Sequence, residues 1–82
     1  MQTVFLDGSL YKSSTELHKA IQSMLSLPDH YGMNADALYD CLSERTKPVN
    51  LWIASRGTQE VSESISLITR VITDLGGSVK EL

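Results

Sequence analysis

The sequence predicts an α/β fold, a three-stranded parallel sheet packed against helices in the order β-α-α-β-α-β. Two observations carry this reading. Short apolar runs rich in β-branched and aromatic residues (Val4-Phe5-Leu6 and Val49–Ala54) alternate with segments whose apolar residues recur at helical spacing. Strands separated by helices pair in parallel, joined by right-handed crossovers.

Each element has its own signal. Gln2–Leu6 reads as the first strand, ended by the turn dipeptide Asp7-Gly8. Ser13 followed by Glu16 is a capping-box signature, and Leu17, Ala20, Ile21, Met24 and Leu25 continue it as a helix over Ser14–Leu25. Pro28 ends that pattern and opens a loop through Gly32. Asn34 is an N-cap for a second helix running to about Ser43. Pro48 leads into the strand Val49–Ala54, broken by Arg56-Gly57. Val61, Ile65, Ile68, Ile72 and Leu75 mark a third helix, stopped by Gly76-Gly77, and Ser78–Leu82 is left as a last strand. No repeat, linker or low-complexity tract divides the chain, so residues 1–82 are expected to form a single domain.

Composition excludes several classes. Apolar content of 41% with 21% charged residues fits a globular chain. One cysteine, Cys41, excludes an internal disulfide and suits a reducing, cytoplasmic setting. No signal-peptide pattern and no apolar run of membrane-spanning length is present. The net charge of −3 argues against nucleic acid as a partner. Asp29, Asp36, Asp40 and Glu44 fall in a stretch without Lys or Arg, so the negative charge is local and suits a basic partner.

On the second helix, Leu38, Cys41 and Leu42 face one way, while Asp36, Tyr39 and Asp40, at i, i+3 and i+4, face the other. The default reading of that acidic side is a solvated face. A binding face is the alternative, and Tyr39 favours it because interface anchors are enriched in aromatics. A glycosidase-like acid–base pair needs a sugar cleft for which 82 residues leave little room. A calcium site needs more oxygen ligands at closer spacing. Cys41 reads as a small buried hydrophobe, His18 as an exposed residue off the apolar stripe, and Trp52 as a core residue. Arg45 and Lys47 follow the acidic helix closely enough to pair with Glu44. His18, His30 and Cys41 are too scattered for a zinc motif, and no phosphate-binding glycine loop precedes a helix. No catalytic residue, metal or cofactor is expected.

The run from Leu27 to Leu42, which reads L-P-x-x-Y-G-x-N-x-D-A-L-aromatic-D-x-L, resembles the signature of the barstar family. Weaker support comes from Glu16-Leu17-His18, the Asp7-Gly8 turn and the proline-led second strand. The resemblance implies the same three-stranded parallel sheet and a function, inhibition of a microbial ribonuclease of the barnase type from inside the cell. It implies that Asp40 meets the basic and histidine groups that handle RNA phosphate, with Asp36 at the rim of that site. His30 falls where an aromatic side chain often stacks on a catalytic histidine, and Tyr39 where the prototype has tryptophan. Gly32, Asn34 and Ala35 would form the floor of the contact, flanked by Tyr31 and Glu44, and Cys41 would be structural. Two positions depart from the pattern. Ile72 aligns with an acidic contact of the last helix, and Arg45 replaces a tryptophan. The free chain is expected to be a monomer, and an interaction module for another basic protein or toxin is the alternative function.

Overall fold

Alternation along the strands sets the architecture. In the first strand, β1 (Gln2–Asp7), Val4 and Leu6 are buried and Thr3 and Phe5 exposed; in the second, β2 (Val49–Ser55), Val49, Leu51 and Ile53 are buried while Trp52 and Ala54 are exposed. The computed structural model describes residues 2–82. The third strand, β3 (Val79–Glu81), completes a sheet of order β1-β2-β3 in which both pairings are parallel. The expected order of strands and helices is observed, with one addition. Asp7 does not simply turn the chain; its carboxylate accepts from the backbone N–H of Ser9 and caps a short 3₁₀ turn, Gly8–Leu10.

The three helices are α1 (Ser14–Leu25), α2 (Ala35–Ser43) and α3 (Gln59–Asp74). Each begins at a side-chain cap: Ser13 accepts from Glu16 N, Asn34 from Ala37 N and Thr58 from Val61 N. The start of α1 is also tied to α3, because the Glu60 carboxylate accepts from Ser14 N at 2.7 Å. All three helices pack on one side of the sheet. Leu17, Ile21 and Leu25 of α1, Leu38 and Leu42 of α2, and Val61, Ile65, Ile68, Val71 and Ile72 of α3 share one core with the inward strand residues.

Two expectations are corrected here. Trp52 is not a core residue: it lies between Leu51 and Ile53, so the pleat turns it away from the helices and leaves it 43% exposed. His18 is not exposed: at i, i+3 and i+7 it shares a stripe with Ile21 and Leu25, and only 2% of it reaches solvent. Ile72 is 3% exposed and packs in the core, so that position of α3 offers no side chain to a partner.

Helix ends carry the strain. At the end of α3, Gly77 N donates to Ile72 O and Gly76 N to Thr73 O, with Gly76 left-handed, a Schellman stop. A Cβ on Gly77 would sit 2.0 Å from the Val49 carbonyl oxygen. The end of α1 has the same motif, Leu27 N donating to Gln22 O, but the left-handed residue is Ser26 with φ 54°. The helix therefore ends at Leu25, as expected, closed by this stop ahead of Pro28. Replacing Ser26 with Gly removes the left-handed penalty and should raise stability by about 1 kcal/mol. Gly77→Ala should lower it by roughly 1–3 kcal/mol. Urea unfolding midpoints measured side by side check both signs.

Candidate functional site

The loop between α1 and α2 is held down along its length. Leu27, buried, follows the Schellman stop into the core. The Pro28 carbonyl then accepts from Gln22 Nε2 and from Tyr31 N, both at 2.9 Å. Tyr31 turns inward, 5% exposed, and its hydroxyl lies 2.6 Å from Nδ1 of His18. It also reaches the Asn34 carbonyl at 3.4 Å. Met33, with φ 56°, turns the chain into the cap of α2. Asn34 then donates from Nδ2 to the Gly32 carbonyl while Oδ1 caps the helix. At Gly32 a Cβ would come within 3.1 Å of Ala37 Cβ, so the loop lies close against α2.

This packing forms a cleft of about 680 Å³ between the loop and α2. His30, Tyr31, Gly32, Asp40 and Glu44 line it, as do Ala37, Cys41 and Arg45. The sequence reading placed Asp36 and Asp40 together. The structure instead groups Asp40 with Glu44 at the cleft, one helical turn further on, and leaves Asp36 and Tyr39 exposed outside its lining. Asp36, Asp40 and Glu44 still form one ridge at i, i+4 and i+8, spanning ~12 Å along the helix. All three are exposed. Asn34 is spent on the cap, and Ala35 is half-buried against the core. Tyr31 belongs to the core and supports the loop; its side chain offers almost nothing to a partner. Cys41 packs against the core on the side of Leu38 and Leu42, as expected, but is only half-buried and also forms part of the cleft wall.

The nearest cation does not neutralise the ridge. Arg45 follows Glu44 directly, yet its guanidinium donates to the Leu25 carbonyl and to Gln2 Oε1. It thereby caps the C-terminal end of α1, where positive charge is favoured by the helix dipole. Among the described residues the ion pair is Arg56–Glu81, at the far end of the sheet, and Asp36, Asp40 and Glu44 have no basic partner among them. Asp36 gains from the N-terminal dipole of α2, whereas Glu44 sits at its C-cap, where a negative charge is unfavourable. Sequence reasoning met Arg45 but not its direction, which depends on α1 and β1 lying behind the cleft. Among the described residues no cluster of His, Cys, Asp and Glu could hold a metal ion, and no helix is long and apolar enough to cross a membrane.

Burial acts on the pair beneath the loop. It lowers the His18 pKa from 6.5, favouring the neutral ring. It raises that of Tyr31, with a smaller contribution from the neighbouring Cys41 thiol. A histidine with a lowered folded pKa binds fewer protons folded than unfolded, so stability rises with pH. Its contribution is complete above about pH 6.5 and is lost as pH falls from there through the lower folded value. Unfolding midpoints taken from pH 8 down to about 5 should show this loss, and His18→Gln should flatten it. Tyr31→Phe removes the hydroxyl partner of a buried imidazole and should cost about 1–3 kcal/mol in the same measurement.

Comparison with known proteins identifies the family. The family model described as "Barstar (barnase inhibitor)" matches residues 1–75. The protein titled "Putative ribonuclease inhibitor YrdF" of Bacillus subtilis (strain 168) is 40% identical over 43 residues, 52% of this chain. That match spans 47% of the relative, about half its length. With a family match over nearly the whole chain, a three-stranded parallel sheet and an anchored loop leading into an acidic helix, this chain belongs to the barstar family of ribonuclease inhibitors.

Proposed function

We propose that this chain inhibits a microbial ribonuclease of the barnase type by placing α2 and its preceding loop over the enzyme's basic active site. The observation that carries the reading is the unpaired ridge Asp36–Asp40–Glu44 on a helix whose approach loop is anchored to the core. A site that handles RNA phosphate gathers Arg, Lys and His in a concave surface. A carboxylate fits it as phosphate does, through short charge-assisted hydrogen bonds.

In this reading Asp40 occupies the centre, because it lies both on the ridge and in the cleft. Glu44 extends the contact along the cleft, and Asp36 and Tyr39 meet the rim. His30, exposed at the mouth, stacks on or hydrogen-bonds to the enzyme. Gly32, Asn34 and Ala35 set the backbone path that lets the loop approach closely, and Tyr31 supports them from beneath. The protein acts by occlusion without catalysis, metal or cofactor, in the cytoplasm, as one domain and with no role for nucleic acid. Its free carboxylates speed encounter with a basic partner.

Asp40→Ala should weaken binding to a cognate barnase-type ribonuclease by 2–5 kcal/mol, roughly thirty- to several-thousand-fold, a range to which complexes of this family themselves contribute. Asp36→Ala should cost less. Both variants should stay folded, with stability within about 1 kcal/mol of wild type, since neither side chain is buried and only exposed dipole and repulsion effects change. Stopped-flow association should slow as salt rises from about 0.01 to 0.5 M, as the Debye length shrinks. Unchanged affinity of the Asp40 variant would refute the occlusion reading. Tight binding to a basic toxin without inhibition of RNA cleavage would replace the target.

A further inference from the structure

The outer face of the sheet is left bare, although purely parallel sheets are usually covered on both sides. Phe5, Trp52 and Lys80 form a row across that face through the register pairs Phe5↔Trp52 and Trp52↔Lys80. Lys80 Nζ lies 5.4 Å from the Trp52 ring centroid. Phe5 and Trp52 are 50% and 43% exposed. Ala54 stands on the same side, and alternation beyond Lys80 brings Leu82, 61% exposed, there too. The polar row beside them is internally satisfied, Ser78 donating to Asn50 Oδ1 at 2.6 Å. None of these residues lines the cleft of the acidic helix.

We propose that this face is a self-association surface whose occupant is a second copy of the chain, packed sheet against sheet. Three features select that occupant. The rows carry one charge, Lys80, too little for a nucleic-acid platform, which needs a basic groove beside its aromatics. The row is also self-complementary. Rotation by 180° about an axis along β2 sets Trp52 against Trp52 and places Phe5 of one protomer over Lys80 of its partner, a cation–π arrangement. Rotation about the perpendicular in-plane axis would instead stack Lys80 on Lys80, which like charges oppose. Area is the third feature. The strands, of six, seven and three residues, cover an area of roughly 14 by 17 Å, and two such faces with their side chains remove on the order of 1,000 Å² from water. That lies at the lower limit of specific interfaces, so the dimer is weak and concentration-dependent. It replaces the expectation of a free monomer and leaves both acidic ridges open.

Trp52 is the only tryptophan, so its emission reports the interface directly. Sedimentation velocity of the intact chain from about 1 μM to 1 mM should show monomer passing to dimer, with Trp52 emission moving to shorter wavelength in step. Phe5→Asp and Lys80→Glu, which keep Trp52, should each weaken the dimer about tenfold or more. Circular dichroism at low concentration establishes that the variants are folded. No ribonuclease is involved, so the result is independent of the inhibitory reading. A single monomer species throughout would overturn the proposal. So would a dimer of undiminished strength in both variants, or association seen only with a different protein.

Discussion

The core lies on one side of the sheet only, because a chain of 82 residues can bury one continuous apolar layer and not two. Val4, Leu6, Val49, Leu51 and Ile53 form its floor, and three helices contribute its roof. The rest of the architecture follows. Since α2 reaches the core through Leu38 and Leu42, its opposite side is turned to solvent, and the carboxylates of that side form a continuous ridge. The same one-sidedness bares Phe5 and Trp52 on the far face of the sheet. The molecule thus has two chemically distinct exposed surfaces, one acidic and one aromatic, separated by its core.

Rigidity of the approach loop is the second feature that the proposed inhibition would draw on. A mobile loop would lose conformational freedom on binding, and that loss would be subtracted from the affinity. Here the loop is ordered before any partner arrives. It leaves α1 through a Schellman stop, is held at Pro28 by Gln22, and is pinned at Tyr31 to the buried His18. The loop is consequently sensitive to α1, although no residue of α1 lines the cleft. His18 links loop geometry to protonation, because burial beneath the loop disfavours the charged ring.

Electrostatics is arranged against local stability. Three carboxylates one turn apart repel each other, and Glu44 opposes the dipole at the end of its own helix. Arg45 stands beside them, but its guanidinium is drawn away by the Leu25 carbonyl and Gln2. Neutralising the ridge internally would ease this repulsion and, under the proposed function, weaken the attraction for a basic enzyme. The shallow cleft adds a shape that a flat acidic helix would lack.

Local signals were enough to determine the elements. The helix starts at Ser13, Asn34 and the segment before Val61, the stop at Gly76-Gly77 and the parallel order depend on neighbours a few residues away. The motif from Leu27 to Leu42 sufficed for the family. What the sequence did not determine was which residues meet across the fold. Trp52 was assigned to the wrong environment because strand periodicity fixes which side chains share a side, while the placement of the covering helices fixes which side is buried. His18 stands on the stripe of Ile21 and Leu25, so its burial was legible in helical spacing and only its partner Tyr31 was not. Asp40 joins Glu44 at the cleft without Asp36 because the loop docks along the Ala37, Asp40, Cys41 and Glu44 side of α2, and Asp36 projects beside that side. Arg45 turns from its acidic neighbour because β1 and the end of α1, distant in sequence, supply better acceptors behind it. Spacing along the chain put Asp36 and Asp40 on one side of α2; only packing between elements decided that Glu44, the loop and Arg45 stand beside Asp40.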